Sequence, residues 1–186
     1  MKDLLLVIDM QKVYTAGGHW QCEGTEAAAE RIRGLIREKG EELEVVFTRF
    51  DPPVNPDGVW AEYNQVNAEV NADEAAAEMM GCFADMTGEG ADKYPLYSKS
   101  IYSAADIPEL QEALYRADRI AVCGVVAECC VLATVMALID KGLKVVYLTD
   151  AVAGESAETA SAVELVLAGL DPLHVCRMTV EDFISN

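Results

Sequence analysis

The chain has 186 residues, enough for one ordinary domain with a real core and too few for two generous ones. Its 32 acidic residues against 14 basic give a formal net charge of -18, which disfavours nucleic acid and anionic lipid, since both are bound by cationic patches. The chain opens without a basic, signal-like apolar segment, no apolar run reaches the ~20 residues that cross a bilayer, and six cysteines occur. The expectation is a cytoplasmic protein with reduced thiols and no membrane association.

Residues 4–8, Leu-Leu-Leu-Val-Ile, form an apolar run of buried-strand length that ends at Asp9. A helix is predicted over residues 25–39: Ile32, Leu35 and Ile36 recur at core spacing, Glu30, Arg31, Arg33 and Arg37 fall on the water side, and Gly40 supplies a stop. A strand follows over 44–49. From Phe50 to Lys93 the order weakens: residues 51–58 are turn-rich and only 71–80 reads as helix, so this excursion is expected to be a lid or pocket wall. A short strand is predicted at 94–98. Asp106-Ile107-Pro108-Glu109 reads as a helix start with Asp106 as the cap, the helix running to about Ala117. Next come a strand at 119–124, an apolar helix at 131–139 stopping at Gly142, a strand at 144–149, an alanine-rich helix at 156–170, a last strand at 174–177 and a terminal helix at 180–184. This alternation predicts an α/β fold: three αβα layers around a six-stranded, mainly parallel sheet with helices on both faces, as a single domain over residues 1–186. The acidic excess, concentrated in 26–38 and 73–78, reads as solvated outer helix faces.

In open parallel sheets reactive groups gather at the carboxyl ends of the strands. Asp9 closes the first strand, Lys99 follows the short third one, and Cys130 follows the fourth within Gly124-Val125-Val126-Ala127-Glu128-Cys129-Cys130-Val131. A thiol in the first turn of the next helix would meet free N–H groups and the positive dipole end, which favour a thiolate. Asp9 can take a thiol proton and return it to a leaving amine, while Lys99 between them would favour the ionised thiol and carboxylate. The turn at 125–130 offers N–H groups to a developing oxyanion. Each residue also has an ordinary role, as turn cap, solvated lysine or core cysteine, and Cys129 competes directly with Cys130. The set reads as a cysteine hydrolase. Two other classes fit less of it: a catalytically silent binding module with the same fold, and a thiol redox protein using Cys129 and Cys130.

No cofactor and no metal are expected. There is no CxxC pair, His19 and His174 are far apart in sequence, and Gly17-Gly18 and residues 86–90 lack the strand and helix context of a dinucleotide loop. Tyr14, Trp20, Trp60 and Tyr63 are candidate substrate contacts, an aromatic wall suited to a small planar or apolar acyl group, with core or lid packing as the alternative. Gln11 reads as a residue that fixes the Asp9 loop, and His19 as a surface histidine.

Leu6-Val7-Ile8-Asp9-Met10-Gln11, Lys99-Ser100-Ile101-Tyr102-Ser103-Ala104, residues 124–134 and Thr149-Asp150-Ala151-Val152-Ala153-Gly154 together resemble the isochorismatase-like cysteine hydrolase family, over almost the whole chain. That family includes nicotinamidases, N-carbamoylsarcosine amidohydrolases and ureidoacrylate amidohydrolases. The resemblance implies a triad of Asp9, Lys99 and Cys130, with the second of the adjacent cysteines as nucleophile. It also implies a non-proline cis peptide at Val125-Val126, oxyanion donors at the N–H groups of Val126 and Cys130, and a homo-oligomer. Nicotinamidases of the family hold a metal with an aspartate and histidines just after the second strand, whereas Thr48-Arg49-Phe50-Asp51-Pro52-Pro53 contains no histidine. True isochorismatases cleave a vinyl ether without needing the cysteine. The resemblance therefore points to metal-independent C–N hydrolysis of a small amide, carbamoyl or ureido substrate.

Overall fold

Five consecutive apolar residues at the start of the chain are buried along their whole length, which a strand achieves only when both faces of its sheet are covered. In the computed structural model, which describes residues 2–87 and 93–186, these residues are the central strand of one sheet. Its strands are Leu4–Ile8 (β1), Glu44–Phe50 (β2), Leu96–Lys99 (β3), Ile120–Gly124 (β4), Val145–Val152 (β5) and Val175–Met178 (β6). They lie in the order β3-β2-β1-β4-β5-β6, and every ladder is parallel. The helices are Thr25–Lys39 (α1), Val59–Val66 (α2), Ala68–Asn71 (α3), Glu74–Ala77 (α4), Ala84–Thr87 (α5), Gln111–Arg116 (α6), Leu132–Asp140 (α7), Ala157–Ala168 (α8) and Val180–Ser185 (α9).

The two-residue period of β1 divides the core. Leu5 and Val7 join Ile32 and Leu35 of α1 and Phe183 of α9 on one face, while Leu4, Leu6 and Ile8 join Leu114 of α6, Val135 and Leu138 of α7 and Leu167 of α8 on the other. This is the three-layer αβα arrangement expected. In α1 the apolar face is buried as its spacing predicts, and each Leu or Ile so placed contributes ~1.5–3 kcal/mol. Among the described residues no helix is long and apolar enough to cross a membrane.

Three local readings are corrected. Residues 71–80 are not one helix: α3 stops at Asn71, the Asp73 carboxylate accepts the Ala76 N–H at 3.0 Å to start α4, and Met79 then forms an antiparallel bridge with Gln11. Helix α2 was not expected; none of its residues is buried, so it carries no core periodicity to read. Asp106 does not cap the next helix. It pairs with Lys141 at 2.8 Å, and a 3-10 turn at Pro108–Leu110, entered from Ile107, leads into α6. The glycine-bearing stretch 86–90, read as no dinucleotide loop, lies partly outside the described residues.

The sheet's two halves meet where Ile8 pairs with Gly124. Gly124 has φ 109°, and a Cβ there would stand 2.1 Å from the Ile8 carbonyl oxygen. Gly124→Ala is expected to lower unfolding free energy by ~3 kcal/mol in a urea titration, from backbone displacement and a strained φ. Gly34→Ala, in α1 with open space around the added methyl, is expected to raise it by ~0.5–1 kcal/mol in the same measurement.

Candidate active site

The order of the strands reverses between β1 and β4, and the crevice at their carboxyl ends is where an open α/β sheet receives its ligands. Asp9, the residue after β1, adopts φ 49°, a conformation aspartate tolerates better than most side chains. Its N–H donates to the Thr48 carbonyl at 3.1 Å and its carbonyl accepts the Gln11 N–H at 2.7 Å, so the bend is held from both sides. The carboxylate is fully buried, and its Oδ1 accepts the Thr48 hydroxyl at 2.7 Å. Lys99 ends β3, two strands away, and its stem crosses above β2 with Nζ 5.5 Å from the centre of the Phe50 ring. The ammonium stands 2.6 Å from Asp9 Oδ2, donates to the Ile101 carbonyl at 3.1 Å and to Cys130 Sγ at 3.3 Å. The fold thus brings together Asp9, Lys99 and Cys130.

Cys130 does not lie in the first turn of an α-helix. Residues Ala127–Val131 form a π-helical turn in which the Val126 carbonyl accepts the N–H groups of Cys129 and Val131, each at 3.1 Å, and α7 begins only at Leu132. The Val125–Val126 peptide bond just before it is cis. Val126 caps this turn and Cys130 lies within it; among the described residues the Val126 N–H has no protein acceptor. Thr134, fully buried one turn on, donates its hydroxyl to the Cys130 carbonyl at 2.7 Å and accepts the Ala104 N–H at 2.9 Å. This hydroxyl ties the turn that carries the thiol to the loop that follows Lys99.

The electrostatics correct a second expectation. Burial pushes the Cys130 thiol well above its ordinary range, the Asp9 charge adds to the rise, and Lys99 opposes both without overcoming them. Burial and Asp9 together thus favour the thiol over the thiolate. Burial pulls the Lys99 ammonium down, but Asp9 and then Cys130 outweigh it and hold the group above its usual value, so it stays charged. Asp9 Oδ2 meets the ammonium as a 2.6 Å ion pair, and the same ammonium contacts the Cys130 sulfur. Cys129 is half-buried, and burial followed by the charges of Glu128 and Glu155 raises its thiol with no cation to offset them.

Aromatic rings cover the site. Tyr14 lies 6.0 Å from Trp20, which reaches Phe50 at 6.2 Å and Tyr63 at 6.4 Å; Trp60 lies 6.4 Å from Phe50, 5.2 Å from Tyr63 and 5.4 Å from Tyr102. The four predicted wall residues therefore fall in one network of ring contacts. Beneath them Cys130 is only 3 % exposed. Trp60 and Tyr63 belong to α2, which has no buried residue of its own. Tyr14, by contrast, is buried, and burial followed by Asp9 and Cys130 drives its phenol well above the usual range.

Sequence reasoning missed Thr48, Phe50, Tyr102 and Thr134. Tyr102 sits three residues after Lys99 inside the motif already singled out, and Thr134 stands four after Cys130, the helical spacing for contact, so both left a faint signal. Gln11 does more than fix the Asp9 loop. Its amide donates to the carbonyls of Phe50 at 3.0 Å and Ala77 at 2.9 Å and accepts the Phe50 N–H at 2.8 Å.

Two measurements check this geometry. Iodoacetamide labelling of Cys130, read by peptide mass mapping, is expected to climb about tenfold per pH unit from pH 6 to 8.5, because the thiolate fraction still limits the rate; a plateau below pH 7 would contradict a protonated resting thiol. Thr134→Val keeps the volume but strands two buried backbone groups, and is expected to slow that labelling ~10-fold at pH 7, with Thr134→Ser within ~2-fold of the parent.

Among curated proteins none matches the sequence. Solved structures do share the fold. A cysteine hydrolase from Pseudomonas syringae superposes with a TM-score of 0.80 at 20% identity, covering 99% of this chain and 91% of its own. An isochorismatase-like hydrolase from Alkaliphilus metalliredigens gives 0.75 at 17%, covering 100% and 98%. The pyrazinamidase/nicotinamidase of Streptococcus mutans gives 0.72 at 19%, covering 95% and 100%. The isochorismatase domain, as a family, matches residues 3–171, and with that span covering nearly the whole sheet and the crevice between β1 and β4, the chain belongs to the isochorismatase-like family.

Proposed function

We propose that the protein is a cysteine hydrolase that cleaves a C–N bond of a small amide, carbamoyl or ureido substrate through a thioester or its carbamoyl equivalent, without a metal. The observation that carries this reading is one buried ammonium, Lys99 Nζ, 2.6 Å from Asp9 Oδ2 and 3.3 Å from Cys130 Sγ. Asp9 takes the thiol proton as sulfur attacks the carbonyl carbon. The carbonyl electron pair moves onto oxygen, where the N–H groups of Val126 and Cys130 receive it. Collapse expels the amine, which leaves with the proton held by Asp9. Water then attacks the thioester and gives a proton to Asp9, which returns it to sulfur as the acid departs. Lys99 stays charged and faces the negative charge wherever it resides.

Residues after β2 do not fit the metal that nicotinamidases of the family hold. Residues 48–53 contain no histidine, and Arg49 clasps the Asp51 carboxylate with contacts of 2.6–3.0 Å. The names of the cysteine hydrolase from Pseudomonas syringae and the amidase from Streptococcus mutans support the same reaction class. The net charge of -18 supports a small-molecule substrate over nucleic acid, and the reading includes a cytoplasmic homo-oligomer.

Ammonia release from a panel of small amides tests the proposal. Cys130→Ala is expected to lose at least ~10³-fold in rate on any substrate found, and Cys129→Ser to stay within ~3-fold of the parent. Equal loss in both variants would remove Cys130 from its role. Reversible Cys129–Cys130 disulfide formation without amide turnover would favour the thiol redox reading instead.

A further inference from the structure

We infer that this site takes an uncharged amide with a compact apolar acyl group and rejects amides that carry a carboxylate, with Trp60, Tyr63 and Tyr102 setting the choice. The inference rests on the hydrolase reading above and narrows its substrate class. It starts from the rings. Beside the thiol, the Lys99 ammonium lies over Phe50, Phe50 touches Trp60, and Trp60 touches both Tyr63 and Tyr102, so the surfaces an acyl group would meet are aromatic faces and two phenol groups. Burial first, then Tyr102, Cys130 and Cys129, pushes the Tyr63 phenol up to about 12, so a neutral hydroxyl stands among these rings.

A carboxylate on the substrate would need a cation. Among the described residues the one cation that lies over a ring of this network is Lys99, on Phe50. Lys99 is already committed to Asp9, Cys130 and the Ile101 carbonyl. Arg49 is the nearest alternative in sequence, one residue from Phe50. Strand alternation turns it to the opposite face of β2 from the Phe50 ring, and its guanidinium is bound to Asp51. An anionic substrate would therefore be desolvated beside Asp9 without a partner, in the field of a chain with net charge -18. An uncharged acyl group buries its surface against the rings and leaves nothing unpaired.

Charge selectivity can be read without turnover by labelling the intact protein with iodoacetamide or iodoacetate, reagents of nearly equal size that differ by one charge. The ratio of their rates at Cys130, divided by the same ratio for free cysteine in the same buffer, is expected to be at least ~30, and Tyr102→Arg to reduce it at least ~5-fold by supplying the missing cation. A normalised ratio near one, a preference for iodoacetate, or no labelling of Cys130 by either reagent would overturn the inference. In parallel, benzamide and its 4-carboxy derivative are compared by ammonia release, with turnover of the uncharged amide expected and faster turnover of the carboxylated one contradicting the inference. A high labelling ratio with no amide hydrolysed would remove the hydrolase reading while leaving the preference for uncharged groups in place.

Discussion

Everything at the crevice depends on one buried ion pair. Asp9 and the Lys99 side chain are 0 % and 2 % exposed, and removing two ions from water costs several kcal/mol each unless attraction and hydrogen bonds offset it. The offset is built from four places in the chain. Thr48 on β2 covers one carboxylate oxygen, the Ile101 carbonyl takes an ammonium proton, Cys130 takes another contact, and the Phe50 ring supports the cation from below. Each contact exists only if β3, β2, β1 and β4 lie side by side in that order. The sheet topology and the ion pair thus require each other, and loss of either ion would leave the other charged, buried and unanswered.

The state of the thiol follows from the same account. With Cys130 protonated, ammonium and carboxylate cancel. Ionising the thiol into solvent would leave a buried excess of negative charge, which is why burial and Asp9 together outweigh the pull of Lys99. Passing the proton from sulfur to the carboxylate keeps the local charge at zero. A site arranged in this way favours a neutral thiol and keeps its buried charges balanced.

Much of this was legible in the residues. Five apolar side chains in a row could only be a strand buried on both faces, and the spacing of Ile32, Leu35 and Ile36 gave the buried face of α1. Asp9 and Lys99 were legible because each stands at the end of a strand-like run in a parallel sheet, and Cys130 because it lies in the turn that follows another. What escaped depends on partners far along the chain. Nothing within residues 127–131 distinguishes a π turn from the start of an α-helix. The thiol's protonation is decided by Asp9, over a hundred residues away in sequence. Thr134 acquires meaning only through Ala104, and α2, which buries none of its residues, left no periodicity to detect.

The clamp made by Gln11 has a broader consequence. One buried amide grips Phe50 at the start of the excursion and Ala77 further along it, so the segment between those two residues leaves and rejoins the body at a single point, like the handle of a cup. Trp60 and Tyr63 ride on that handle, while Asp9, Lys99 and Cys130 belong to the vessel. Insertions, deletions or wholesale replacement between the two attachment points would change the rings beside the thiol and leave Asp9, Lys99 and Cys130 where they are. A fold so divided can vary its outer loop without disturbing its buried ion pair.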